Sequence, residues 1–99
     1  MKSTDIIIEQ LKKTKPQAII LFGSAARGEM GKDSDFDLLV IQETKKDYFD
    51  RVREVRAEIR ANVPLDIIVL TPKEARELPK KNSFFAQILK EGKLLYGRI

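Results

Sequence analysis

Histidine, cysteine and tryptophan are all missing from this chain. Without histidine there is no side chain that titrates near neutrality, no Ser–His nucleophile pair and none of the commonest metal ligand. Without cysteine there is neither a disulfide framework nor a thiolate zinc site. Any catalysis must therefore run on carboxylates, lysine, tyrosine or a bound ion. Long apolar runs are missing too, since nothing approaches the roughly 18–20 residues of a membrane span. The opening stretch, MKSTDIIIEQ, places an acid ahead of a short apolar run and lacks a secretory hydrophobic region. These absences predict a cytoplasmic protein with no membrane role.

What is present predicts one folded domain over residues 1–99. Hydrophobic residues make up 42% of the chain, too many for disorder, and the length leaves no room for a second core. The net charge of +4 comes from 19 basic and 15 acidic residues mixed along the chain. Such mixing reads as a solvated surface, with a phosphate-bearing ligand as the functional alternative.

Residues 3–14, STDIIIEQLKKT, read as a helix capped by Ser3 or Thr4 and ended by Pro16, with Ile7, Ile8 and Leu11 on one face. AIILF (18–22) is a continuous apolar run, the pattern of a strand buried on both faces. Gly23 breaks it, a helical turn opens at Ser24, and GEMGKDS (28–34) is loop by composition. DFDLLVI (35–41) is a second strand. A helix from about residue 45 to 61 follows, with Tyr48, Val52, Val55 and Ile59 on one side. Pro64 opens a third strand, LDIIVL (65–70). Thr71-Pro72-Lys73-Glu74 is a capping box with proline at the first helical position, and the short helix it opens stops before Pro79. Ser83 caps a last helix, SFFAQILKE, that Gly92 stops, and LLYG adds an edge strand. The order predicts a layered α/β unit with helices packed on a small sheet.

The chemistry is concentrated in LFGSAARGEMGKDSDFDLLV (21–40). Residues two apart on a strand face the same way, so Asp35 and Asp37 project together with Cα atoms roughly 6.6 Å apart. Two like charges so placed are unfavourable unless something neutralises them, and a divalent cation is the simplest resolution. Oxygen ligands of this kind suit Mg²⁺ or Mn²⁺. Asp66 opens an otherwise apolar strand in the way Asp37 does. If those strands are neighbours, three carboxylates converge at one end of the sheet, the arrangement for in-line phosphoryl or nucleotidyl transfer around two metals. The third acid is then the candidate base for an attacking hydroxyl.

Gly23-Ser24 supplies the other half. Glycine permits a sharp turn at the end of the first strand, the N–H groups that follow point where a triphosphate can sit, and the Ser24 hydroxyl can donate to a phosphate oxygen. Arg27 and Lys32 lie within local reach as counter-charges. Two other phosphate motifs fail. Gly23 and Gly28 have the glycine spacing of a P-loop, but Glu29-Met30 stands where Lys-Ser or Lys-Thr belongs, and there is no G-x-G-x-x-G.

Gly23-Ser24, ten intervening residues and Asp35-Phe36-Asp37 resemble the G-S-x10-D-x-D signature of the minimal nucleotidyltransferases, within the DNA polymerase beta-like nucleotidyltransferase superfamily. Asp66 in PLDIIVL matches the family's third acid, and EGKLLYG resembles its common ending. The resemblance implies a polymerase-palm-like α/β core with a mixed sheet. Asp35 and Asp37 would bind two Mg²⁺ ions with Asp66 completing the site, and Gly23 and Ser24 would hold the triphosphate of an incoming nucleotide, most often ATP. The reaction would move a nucleoside monophosphate to an acceptor hydroxyl and release pyrophosphate. Many members are antitoxins whose partner is a helical HEPN-domain ribonuclease, silenced in some cases by adenylylation of a tyrosine. The chain lacks the added domains with which larger relatives hold template, primer or drug, so a partner protein or a second subunit is expected to present the acceptor. No direct nucleic-acid contact is required. Two alternatives stay open: a binding module that neutralises its toxin by occlusion, and a stand-alone enzyme for a small hydroxylated acceptor.

Phe84, Phe85, Ile88 and Leu89 read first as packing of the last helix on the sheet, and second as a partner surface. Tyr48 and Tyr96 are expected to pack. The basic stretch RVREVRAEIR reads as a solvated helix face.

Overall fold

The computed structural model of the chain describes residues 3–26, 28, 36–60 and 64–98 and, of residues 3, 4, 24 and 25, the backbone alone. Helix α1 spans Ser3–Leu11 and tightens into a 3₁₀ turn over Lys12–Thr14. Lys15 then takes a left-handed conformation (φ 55°), and its N–H bonds the Lys12 carbonyl ahead of Pro16. Strand β1 (Ala18–Phe22) runs into one helical turn, α2 (Gly23–Ala26), which opens at Gly23, one residue earlier than the Ser24 start expected. Strand β2 is Phe36–Ile41, α3 is Tyr48–Ala57 and β3 is Leu65–Leu70. Helices α4 (Pro72–Lys81) and α5 (Ser83–Glu91) and strand β4 (Lys93–Gly97) complete the order.

The sheet is mixed, in the order β3-β2-β1-β4, with β2 parallel to β3 and β1 antiparallel to both β2 and β4. Side-chain alternation divides the core in two. On one face Ile19, Leu21, Leu38, Val40, Leu65 and Val69 pack with Ile7 and Leu11 of α1 and Val55 of α3. On the other, Ala18, Ile20, Phe22, Leu39, Ile41 and Leu70 pack with Ala75 of α4 and Ile88 of α5. The two central strands are therefore covered on both sides, which is why their sequences read as unbroken apolar runs.

Besides the start of α2, other boundaries differ from the sequence expectation: α3 ends at Ala57 instead of near residue 61, and three further differences have a local reason. The Asp47 side chain accepts the Asp50 N–H and starts α3 there, so Tyr48 is its first residue and stands 39% exposed, off the buried side. The Thr71 capping box forms as expected, with Glu74 Oε1 accepting the Thr71 N–H at 2.8 Å. Its helix, however, runs through Pro79 to Lys81. Pro79 sits in the last turn, where its missing donor costs a single bond, and the Asn82 N–H resumes the pattern by bonding the Leu78 carbonyl. The cap of α5 is Asn82, whose side chain accepts the Phe84 N–H at 2.8 Å, and Ser83 is already the first helical residue. Tyr96 packs against the core beneath Lys12, whose ammonium lies 5.4 Å from the ring centre.

Candidate active site

The row of residues that ends the β1–β2–β3 part of the sheet is unlike the rows beneath it. In register, Phe22 of β1 faces Asp37 of β2, and Asp37 faces Asp66 of β3. The next row on the same face is Ile20, Leu39 and Ile68, all apolar. Asp37 and Asp66 are thus brought together on the α4/α5 face as nearest neighbours on adjacent strands, whose spacing is about 4.8 Å. Asp37 is half-buried and Asp66 exposed. Like charges directly opposite each other are by themselves unfavourable in a sheet.

Gly23 makes room for Asp37. Its φ is +73°, in the left-handed region that glycine enters freely, and a Cβ added there would lie 2.2 Å from Asp37 Oδ2. That overlap is with a carboxylate oxygen, so any larger residue would push the acid out of the row. The turn from β1 into α2 and the Asp37 carboxylate are fitted to one another, and the backbone of Ser24 follows directly within α2.

Of the residues the sequence singled out, Gly23, Asp37 and Asp66 are brought together. Asp35, Arg27, Lys32 and the side chain of Ser24 lie outside the described residues. Among the described residues no three acids cluster closely enough to hold a metal ion; Asp37 and Asp66 form a pair.

The structure adds residues that the sequence did not single out. A cleft lined by Phe22, Gly23, Phe84, Gln87, Ile88 and Glu91 opens against the Gly23 turn. The sequence does carry a signal for it: 84, 87, 88 and 91 fall at i, i+3, i+4 and i+7, one stripe of a helix. Phe85, Ile88 and Leu89 pack on the sheet as expected, whereas Phe84 is 51% exposed at the cleft.

Among the described residues no helix is long and apolar enough to cross a membrane. A Methanocaldococcus jannaschii protein, provisionally named a protein adenylyltransferase, is 36% identical over 81 residues, covering 79% of this chain and 76% of the relative. A crystal structure from Sulfolobus solfataricus, provisionally named a nucleotidyltransferase, is 27% identical with a TM-score of 0.58, covering 99% of this chain and 90% of the other. A chain of the toxin–antitoxin assembly MntA–HpeT, in a single-substitution form, is 25% identical with a TM-score of 0.61, covering 99% and 74%. The sequence profile described as Polymerase beta, Nucleotidyltransferase matches residues 5–98. With that match across almost its whole length, this chain is an enzyme of the Polymerase beta nucleotidyltransferase family.

Proposed function

We propose that this nucleotidyltransferase moves AMP from ATP to a hydroxyl of a partner protein, and that it serves as the antitoxin of a HEPN ribonuclease toxin. The observation that carries the reading is the in-register pair Asp37–Asp66 with the Gly23 turn pressed against Asp37. The name of the Methanocaldococcus jannaschii relative supports a protein acceptor, and the MntA–HpeT likeness supports a toxin partner.

The donor set suits Mg²⁺: hard carboxylate oxygens, repelling one another across neighbouring strands, in a chain with no histidine or cysteine to favour a softer ion. Asp35, Asp37 and Asp66 would hold two such ions, Mn²⁺ serving in their place. When bound, they supply neutralising charge at the α-phosphate and the leaving group. Gly23 and Ser24 hold the triphosphate, with Arg27 and Lys32 as counter-charges. The acceptor oxygen bonds to the α-phosphorus, the bond to the bridging oxygen breaks and pyrophosphate leaves. The acceptor's proton passes to the Asp66 carboxylate, which lies beside Asp37 and is exposed for a macromolecular acceptor to reach.

Incubation with Mg²⁺, ATP and a HEPN ribonuclease encoded beside it tests the reading. Label in the α-phosphate should appear on the ribonuclease, and γ-label should leave in pyrophosphate. Transfer of γ-label would identify a kinase. Neutralisation of the ribonuclease that persists unaltered in Asp35→Asn/Asp37→Asn would replace catalysis with occlusion.

A further inference from the structure

The cleft beside Gly23 has a volume of about 120 Å³. Gly23 forms part of its wall and also presses on Asp37 Oδ2, while Phe22 is the register partner of Asp37. Its walls are apolar and aromatic. Ile88 is buried at the back, and the Phe22 and Phe84 rings meet edge to face, centroids 6.2 Å apart at 84°. Half of Phe84 faces solvent at the lip. The rim holds more acceptors than donors: Gln87 Nε2 donates to Glu91 Oε2 at 3.3 Å, which leaves one Gln87 N–H as a donor beside the Gln87 amide oxygen and the other Glu91 lone pairs as acceptors.

These features select a ligand. Aromatic walls take a planar ring. A carboxylate at the rim repels phosphate. Acceptors at the rim require an edge that donates. The geometry points to this cleft as the seat of the incoming nucleotide's base, and to a base bearing an exocyclic amino group.

This inference rests on the nucleotidyl-transfer reading and adds to it. Along the sheet edge the order is Phe22–Gly23 on β1, Asp37 on β2 and Asp66 on β3. An acceptor activated at Asp66 approaches from the β3 side. An in-line displacement sets the leaving pyrophosphate opposite that acceptor, toward Gly23 and Ser24 on the β1 side, and the cleft walled by α5 opens beside that turn. Adenine and cytosine donate through exocyclic amines and guanine through two adjacent donors. Uracil sets one N–H between two carbonyls, whose lone pairs would meet the rim acceptors. UTP is therefore the disfavoured nucleotide.

Calorimetry with Mg²⁺ present and ATP, UTP or inorganic tripolyphosphate as the probe separates the parts. ATP should bind the full chain about tenfold tighter than tripolyphosphate, in line with the energy of one base stacked on an aromatic ring, and UTP, which stacks but meets the rim acceptors with its carbonyls, should fall between the two. Phe84→Ala, at a half-exposed position, should weaken ATP by about the same factor and leave tripolyphosphate unchanged. Glu91→Gln adds a donor to the rim and should narrow the gap between ATP and UTP. If both variants leave ATP affinity and the ATP/UTP ratio where they were while tripolyphosphate still binds, the base seat is wrong and the phosphate site stands. If Phe84→Ala abolishes toxin binding with ATP affinity unchanged, the cleft belongs to the protein partner and the base seat is again overturned. If neither ATP nor tripolyphosphate binds the unaltered chain, nucleotidyl transfer itself falls, and the base seat with it.

Discussion

Where β2 and β3 run out, Glu74 Oε1 accepts from two donors; where they begin, Asp37 and Asp66 face one another across neighbouring strands. Glu74 Oε1 accepts the Thr71 N–H and, at 2.6 Å, an Arg51 N–H, and Arg51 in turn donates from Nε to the Lys46 carbonyl. Burial pushes the Glu74 carboxyl up, but the Thr71 N–H and the Arg51 guanidinium outweigh burial and hold it below its ordinary value. Such an acid joins α3 to α4. The Asp37–Asp66 row is built differently: the fold sets two carboxylates in register and clears a glycine turn for one of them. On the proposed reading, the same chemical group is structural at one end of the sheet and reactive at the other, and its neighbours decide which.

The strongest way to break that comparison is Asp37→Asn. If the Asp37 row serves chemistry, nucleotidyl transfer should fall by about 10²–10³-fold, the scale of losing one preorganised electrostatic contact. The melting temperature should change little, because the carboxamide keeps the shape of the carboxylate. A variant that unfolds while keeping residual activity in proportion to its folded fraction would make Asp37 a structural acid like Glu74. Gly23→Ala comes next. Its Cβ would overlap Asp37 Oδ2 and its φ would be strained, so we expect a stability loss of about 1–3 kcal/mol. Transfer should drop further than the unfolded fraction accounts for. Denaturant titration beside a label-transfer assay distinguishes the two effects.

How far this contrast could be foreseen depends on range. The strands β1, β2 and β3 were legible because apolar runs buried on both faces are bounded by Gly23, Asp35 and Pro64. The Thr71 capping box was legible because it is complete within four residues. That Asp37 and Asp66 share a row was legible only conditionally. Each strand's alternation gives a face, but the pairing of β2 with β3 and its register are set by the crossover through α3, which no local pattern specifies. The cleft was not foreseen for a similar reason. An apolar stripe on α5 reads as core, and which of its residues overhang the edge depends on where β1 stops beneath them. Pro79 misled because a proline reads as a helix end, although late in a helix it forfeits only one bond. Asp35, Arg27 and Lys32 stay proposals drawn from spacing and resemblance.

Glu74→Ala sharpens the contrast from the structural side. It removes one half of the capping box and the partner of Arg51, whose side chain is 12% exposed. A lost cap costs about 1 kcal/mol, and each kcal/mol lowers the melting temperature of a domain this size by about 4–8 °C. Transfer per folded molecule should stay at the level of the unaltered chain. A loss of transfer with the melting temperature unchanged would show that the two ends of the sheet are coupled.

The smallest effect is a pH dependence. Because the folded chain holds the Glu74 carboxyl below its ordinary value, this group stabilises the fold fully above the unfolded value, and the contribution is lost as pH falls through the folded one. The direction follows because, between those two values, the unfolded state binds more protons than the folded state. Acid titration of stability should therefore be steeper for the unaltered chain than for Glu74→Gln, with the two curves parallel above pH 6. The difference should be modest, since the Glu74 side chain is 40% exposed and solvent screens its pair with Arg51. Curves parallel throughout the acid range would mean that Glu74 is held no more tightly than a surface carboxylate, and that the two ends of the sheet differ less than their hydrogen bonds imply.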